Sequence, residues 1–363
     1  MSEQAAIDLG WLDVAARLAT PMLGATGATP PVCALLVDPE NDRLLSQGVT
    51  PFRGVGVAEL LALADAPAAD GTTLYLTAEP VPDVTGPASA IDAIVNAGVS
   101  RVVAGALDAD PARAGEGLRR LAELGIDVHY LAHERSALLH EGARSRQLRG
   151  RPHVTLKITL SADDMVGHGA PGGHDLLGVE ALRWLDRERA AADAIISGAA
   201  RAEIENADLL THLPGLDRRG ALRVILAGQR DLNTGIDLFN VVSGAPILVV
   251  TTAGRPSALR PGIEVAEIEQ RRGHLDLRQV LDLLTARQIN RVLVEAGARL
   301  AESFIAGEMV DRLHVVDIPG LVGRSGVRAA LLGRFQDRIA AARFSEVDRR
   351  LLGEDKVRTF ERL

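Results

Sequence analysis

A single cysteine, Cys33, stands in 363 residues, so no disulfide can close within the chain and no thiolate cluster can hold a metal. Aromatic residues make up only 3%. The cores are therefore left to Ala, Val, Leu and Ile, and the stacked aromatic platforms that hold single-stranded nucleic acid are excluded. Lysine is scarcer than the charge count suggests: of 40 basic residues, only Lys157 and Lys356 are lysine. No uncharged apolar run approaches the roughly 20 residues that cross a bilayer. Met1–Gly10 also lacks the charged-then-apolar order of a secretory leader. The formal charge of −8 is opposite in sign to what nucleic acid or an anionic membrane attracts. The expectation is a cytoplasmic protein that takes a small molecule and has no nucleic-acid or membrane partner. The one basic run, Arg144–Arg151, has no interleaved aromatics and reads as a solvated linker.

What is present is ordinary globular material, 47% apolar and 24% charged, in a length sufficient for two cores. Short apolar runs alternate with helical spacing, which predicts α/β layers with parallel strands and crossover helices. In the first half Val32–Val37, Thr73–Thr77, Arg101–Gly105 and Asp127–Leu131 read as strands. Ala58–Ala66, Ser89–Ala97 and Ala112–Leu124 read as helices between them. Arg144–Pro152 is polar, basic and proline-terminated, and marks the boundary between domains 1–146 and 151–363. Beyond it the strand candidates are His153–Leu160, Ala194–Ser197, Arg223–Ala227, Pro246–Thr251, Val265–Glu267, Arg291–Glu295 and Arg312–Ile318. Gly178–Ala191, Asp276–Gln288 and Ala298–Gly307 are helix candidates, and Arg343–Glu361 fits a closing antiparallel hairpin.

Val57–Ala58–Glu59 and Glu79–Pro80–Val81, with Ala90 nine positions on, resemble the zinc deaminase of riboflavin biosynthesis. That family opens two helices with His-Ala-Glu and Glu-Pro-Cys motifs and places a second Cys nine residues after the first. The resemblance implies a cytidine-deaminase-like three-layer domain. Its three zinc ligands would stand at Val57, Val81 and Ala90, whose side chains have no lone pair to offer. The family's Asn-Pro-x-Val-Gly segment is here Thr29–Pro30–Pro31–Val32–Cys33. The proton-shuttling position is Glu59, which without a metal reads as a solvated glutamate in the first turn of a helix. His129, His133 and His140 do not share one helix face and read as surface or linker histidines. Cys33 reads as a small hydrophobe. No zinc and no deamination are expected.

From Arg151 onward the chain resembles the reductase half of the same bifunctional family, which has a dihydrofolate-reductase-like fold. The matching segments are Arg151–Lys157, Val294–Leu300, Val310–Leu313 and Pro319–Gly323. The resemblance implies an NADPH-dependent reductase that pairs as a homodimer and delivers a hydride to C1 of a ribosylamino-pyrimidine or related heterocycle. It places the cofactor at Ser197, Gly198, Glu295, Ala296, Gly297 and Gly323. A glycine turn lets backbone N–H groups approach phosphate, although such a turn alone also serves tight packing. It assigns Lys157 and Asp163 to catalysis. In a chain so biased to arginine, a lysine inside an apolar strand suggests a need for a compact ammonium.

The departures cluster on the substrate side. Ala202 stands where the family commonly has Thr. Ser161–Ala162–Asp163–Asp164 keeps the Asp of Ser-Leu-Asp-Gly but not its glycine. The Gly-Glu-Ser-x-Trp segment is replaced by Ala170–Asp175, so Gly167–Asp175, with His168, His174 and Asp175, is either a remodelled substrate loop or an uninvolved one. Asn206–Leu213 stands for Asp-Asp-Pro-x-Leu-Thr-Val-Arg. Leu213 then replaces an arginine, a charge-assisted contact worth about 1.5–3 kcal/mol, unless Arg201, His212 or Arg218 compensates. Asn206, Asp208, Thr211, His174 and Asp175 are the candidate substrate contacts. The alternative is a catalytically inactive scaffold or regulator of an active relative.

Overall fold

Arg144–Arg149, read from composition as a linker, is helix. In a computed structural model of the chain, α5 runs over Glu134–Arg149 and buries Ser136, Leu139, His140, Gly142, Ala143 and Ser145. Its inward face is carried largely by small and polar residues, so hydropathy gave no periodic signal. Gly150, at φ 66°, ends the helix, and its N–H closes on the Arg146 carbonyl. The structure describes residues 2–363 except 55, 67, 83–88, 169–175, 217–219, 242, 254–258, 260, 272 and 330–334. The chain divides into two units, Met1–Arg151 and Pro152–Leu363.

The first unit contains α1 (Glu3–Ala19), β1 (Cys33–Asp38), β2 (Arg43–Val49), α2 (Ala58–Ala64), β3 (Thr73–Leu76), α3 (Ala90–Asn96), β4 (Arg101–Ala104), α4 (Glu116–Glu123), β5 (Asp127–Tyr130) and α5. The described sheet has the order β2-β1-β3-β4-β5. Only its β3-β4-β5 half is parallel, and β1 pairs antiparallel with both neighbours, which corrects the all-parallel expectation. Helix α1 was not anticipated. Its buried face includes Asp8, which takes both terminal nitrogens of Arg101 at 2.8 and 2.7 Å and the Tyr75 hydroxyl at 2.8 Å. A buried carboxylate so paired interrupts the apolar stripe by which a helix is recognised.

The second unit runs β6 (His153–Ser161), β7 (Met165–His168), α6 (Val179–Ala190), β8 (Ala194–Gly198), α7 (Ala199–Glu205), β9 (Leu222–Gly228), α8 (Asp237–Asn240), β10 (Ile247–Thr252), β11 (Glu264–Ile268), β12 (Gln270–Arg271), β13 (His274–Leu275), α9 (Leu277–Ala286), β14 (Arg291–Glu295), α10 (Ala298–Ala306), β15 (Arg312–Ile318), β16 (Gly326–Arg328), α11 (Phe335–Ala341), β17 (Phe344–Leu352) and β18 (Asp355–Arg362). Its main described sheet has the order β11-β10-β9-β8-β14-β6-β15-β18-β17. Its seven strands β11-β10-β9-β8-β14-β6-β15 pair in parallel, and the β17–β18 hairpin closes the edge antiparallel, as the tail pattern predicted.

Strand β6 lies in the middle with all nine residues buried. Val154, Leu156, Ile158 and Leu160 enter one apolar cluster with α9 and α10 residues. By strand alternation, His153, Thr155, Lys157, Thr159 and Ser161 face the other side. A central parallel strand normally buries apolar residues on both faces, so this polar row marks the unit's unusual side. Mixed α/β architecture in both units agrees with the sequence reading.

Candidate functional site

The polar row of β6 meets its neighbours in register. Lys157 is opposite Glu295 on β14 and opposite His314 on β15. All three are buried, Lys157 to 4% exposure and Glu295 to 7%. Arg189, near the end of α6, grips the Glu295 carboxylate with Nε at 2.6 Å and Nη2 at 3.0 Å, and its Nη1 donates to the Leu210 carbonyl at 3.0 Å. Burial alone would push the Glu295 carboxyl up. The guanidinium of Arg189, aided by Lys157 and Arg201, outweighs it and holds the carboxyl below its usual range. Burial likewise works against the charge of Arg189, yet Glu295 keeps it firmly protonated. His314 extends the cluster, with Nδ1 3.0 Å from the Thr359 hydroxyl and the ring edge-on to Trp184 at 5.2 Å.

Two turns leave the sheet beside this cluster. Ser197 pairs with Glu295 across β8 and β14, and its hydroxyl donates to the Glu295 carbonyl at 3.1 Å. Gly198 then caps α7, while Ala296 and Gly297 lead into α10, with no side-chain cap on either helix. Among the described residues, a Cβ on Gly297 would meet nothing nearer than Arg201 Cδ at 3.8 Å, and one on Gly198 nothing nearer than Leu300 Cδ2 at 4.0 Å. Among the described residues the approach to both turns is bounded by ordinary contacts. The carboxyl ends of adjacent parallel strands are where α/β sheets take their ligands.

Asp163 is committed to the chain itself. Its carboxylate accepts the Ser161 hydroxyl at 2.6 Å and the N–H groups of Val322 and Gly323 at 3.1 and 2.8 Å. These hydrogen bonds, the Ser161 hydroxyl first, pull the carboxyl down to about 2, so it carries no proton near neutral pH. Gly323, at φ 77°, is held by this clamp.

The 206–213 segment is also internally bonded. Asn206 is left-handed at φ 48° and exchanges two hydrogen bonds with Asp237, at 2.8 and 2.9 Å. Asp208 accepts the Leu210 N–H at 2.9 Å and lies 2.9 Å from His212 Nε2. The His212 N–H donates to Asp186 at 3.1 Å. Thr211 is buried and Leu213 half-buried. Beneath the segment the buried Arg223 donates to the carbonyls of Asp208, Leu238 and Ala245 at 3.1, 3.1 and 2.8 Å. The structure brings Lys157, Ser197, Gly198, Glu295, Ala296 and Gly297 together. It turns the polar groups of Asp163, Asn206 and Asp208 toward the protein. His174, Asp175 and Arg218 lie outside the described residues.

In the first unit, Val57 caps α2, Val81 is exposed and Ala90 opens α3. None supplies a donor atom, so this set does not fit zinc, and among the described residues no other group of three His, Cys, Asp or Glu is placed to hold a metal. Glu59 is not solvated as expected. It is buried with Ala58 and Ala62 on the inner face of α2, and burial pushes its carboxyl up to about 7. Glu79 accepts backbone N–H groups from Asp108, Gly115, Gly117 and Leu118 and so moulds the loop before α4. The histidines also differ from expectation. His129 is exposed, but His133 and His140 are buried, and burial pulls His140 down to about 4. His133 lies 2.9 Å from the Ser136 hydroxyl and 3.2 Å from Asp13. Ser136 has no exposed surface, so this trio ties α5 to α1 and offers no nucleophile. Cys33 is buried, and its thiol is pushed up to about 12.

The family described as RibD C-terminal domain matches residues 152–355. The chain belongs to the RibD family. The riboflavin biosynthesis protein RibD of Synechocystis is 29% identical over 93% of this chain and 92% of its own length. That of Bacillus amyloliquefaciens is 30% identical over 86% of this chain and 85% of its own. A solved RibD structure from Acinetobacter baumannii covers 98% of this chain and 99% of its own at 26% identity with TM-score 0.83. A Thermotoga maritima deaminase/reductase shares the fold, with TM-score 0.85 at 22% identity over 99% of this chain and all of its own. RibD is an enzyme family whose members join a deaminase-like and a reductase domain. Against that background Arg189, Asp186 and Arg223 are the residues sequence reasoning missed as site builders. A charge inside the apolar run Leu222–Gly228 was the available signal for Arg223. Arg189 gave none, because its partner lies 106 positions away.

Proposed function

We propose that this chain is an NADPH-dependent reductase of the riboflavin-pathway type, acting on a ribosylamino-pyrimidine or related heterocycle, with no deaminase activity. The buried Lys157–Glu295–Arg189 cluster beside two open glycine turns carries this reading. Charged groups are costly to remove from water and stay buried only where they are paired, and these stand at the carboxyl ends of adjacent parallel strands, where α/β sheets take their ligands.

NADPH, when bound, supplies the hydride. The residues that would hold it are Ser197, Gly198, Glu295 through its backbone, Ala296, Gly297 and Gly323. Arg189 fixes the Glu295 carboxylate, and through it the level at which the Ala296–Gly297 turn begins. Lys157 offers its ammonium from the adjacent strand to orient an electron-rich group of the substrate. Asp163 holds the Val322–Gly323 loop in place and, being ionised, does not act as an acid. Asn206 and Asp208 shape the substrate segment through Asp237 and His212, and Thr211 lies within it. The chemistry is mainly positioning of two reactants. The remodelled 170–175 segment and Leu213 point to a substrate changed from that of the family, taken by a cytoplasmic homodimer.

The deciding experiment is fluorescence titration of the full chain with NADPH. Saturation in the micromolar range is expected. No saturable binding at high micromolar cofactor would leave the inactive scaffold. Metal analysis of the same preparation is expected to find no stoichiometric zinc, and one zinc per chain would overturn the absence of deamination.

A further inference from the structure

Arg201 lies where β7, α7 and the Gly297 turn converge. Its Cδ is 3.8 Å from the position of a Cβ on Gly297. Its Nη1 donates to the Val166 carbonyl of β7 at 3.1 Å, 3.7 Å from a Cβ built on Gly167. Its Nη2 pairs with Glu205, one turn along α7, at 2.5 Å. Its charge also reaches the buried Glu295 carboxylate. The side chain is 17% exposed and that of Glu205 34%. An i,i+4 pair at such a site contributes a few tenths of a kcal/mol to a helix, so the fold does not depend on it.

We infer that Arg201 is the contact through which this chain binds the diphosphate of its dinucleotide, the phosphate replacing Glu205 on Nη2. This deepens the reductase reading and rests on it. One edge of the guanidinium stays fixed on the Val166 carbonyl, so the plane of the fork is set before the ligand arrives. The other edge is paired with a partly exposed carboxylate that a phosphate can displace. A planar fork held in this way suits phosphate better than a lysine would. Proximity to the Gly297 turn assigns the diphosphate, which NADPH and NADH share, rather than the 2′-phosphate. Glu205 acts against the ligand: it competes for the fork and, once displaced, leaves a negative charge beside the phosphate.

The test titrates the full chain and its variants with NADPH, NADH and inorganic pyrophosphate, following fluorescence and thermal protection. Arg201→Ala should weaken NADPH tenfold or more, equivalent to about 1.4 kcal/mol. It should weaken NADH by a similar factor and abolish protection by pyrophosphate. Arg201→Lys should fall between wild type and the alanine variant. Glu205→Gln should tighten NADPH about threefold, a gain that a purely structural role for the pair does not produce. Unchanged affinity in Arg201→Ala, or weaker binding in Glu205→Gln, overturns the assignment. So does a loss confined to NADPH, which means the 2′-phosphate, or a loss confined to substrate KM. If Arg201→Ala does not fold, Arg201→Gln keeps a donor for the Val166 carbonyl and serves in its place. If wild type binds pyrophosphate through Arg201 but not NADPH, the reductase reading falls and the anion site stands. If it binds neither, both fall.

Discussion

The two units treat a buried carboxyl group in opposite ways. In the first, Val57, Val81 and Ala90 offer no donor atom, and Glu59 is buried among apolar neighbours and retains a proton to about pH 7. In the second, Glu295 is equally buried, yet its carboxyl lies below the usual range because Arg189, Lys157 and Arg201 surround it. Burial is common to both, and the neighbouring charge decides the outcome. A carboxylate kept among cations is maintained as an ion, whereas one left without them becomes a neutral acid near neutral pH.

The comparison is most severely tested at Arg189. Arg189→Ala leaves Glu295 buried without its main partner and is expected to cost about 3–5 kcal/mol, read as a lower urea midpoint in Trp184 fluorescence. An unmoved midpoint would mean that the cluster does not hold the second unit together. Next comes function. Lys157→Ala should reduce turnover on the order of 100-fold or more while NADPH affinity stays near that of wild type, and undiminished turnover would remove Lys157 from the site.

Glu59 gives a smaller effect with a defined sign. Its carboxyl is raised from 4.5 to about 7 on folding, so the folded chain holds a proton that the unfolded chain releases between those values. Stability therefore falls as pH rises from about 4.5 to 7 and is level above. Glu59→Gln should exceed wild type by roughly 1–3 kcal/mol at pH 8, the difference vanishing toward pH 4. An equal difference at both pH values would show that Glu59 is not titrating as a buried acid. The smallest effect belongs to Asp163, whose carboxyl is lowered to about 2. The stability it contributes is present above about pH 4, the ordinary Asp range, and lost as pH falls toward 2. Asp163→Asn should flatten that acid limb in melting curves and leave the pH profile of turnover between 6 and 8 unchanged. A shifted profile would return Asp163 to proton transfer.

Much of this fold was legible because its strands are short apolar runs. Arg291–Glu295 and Arg312–Ile318 emerged with the bounds expected, and the tail hairpin emerged as an antiparallel pair. Helices α1 and α5 were not legible, since each buries polar residues, Asp8 in one and Ser136, His140 and Ser145 in the other. Periodicity measures hydrophobicity, and these faces are inward without being hydrophobic. In the site, Lys157 stood out because lysine is rare here. Arg189 did not, because arginine is common and its meaning depends on a partner far along the chain.

Strand order carries a consequence for how the second unit is made. Strand β6 is the first strand of that unit in sequence, yet it lies between β14 and β15. Until residues 291–318 have left the ribosome, this fully buried strand has neither of its neighbours. Pairings so distant in sequence close slowly and leave apolar surface uncovered meanwhile. The first unit pairs its sheet from nearby segments and can finish early, while the second waits on its last third, and destabilising changes in β14 or β15 should expose nascent β6 to aggregation.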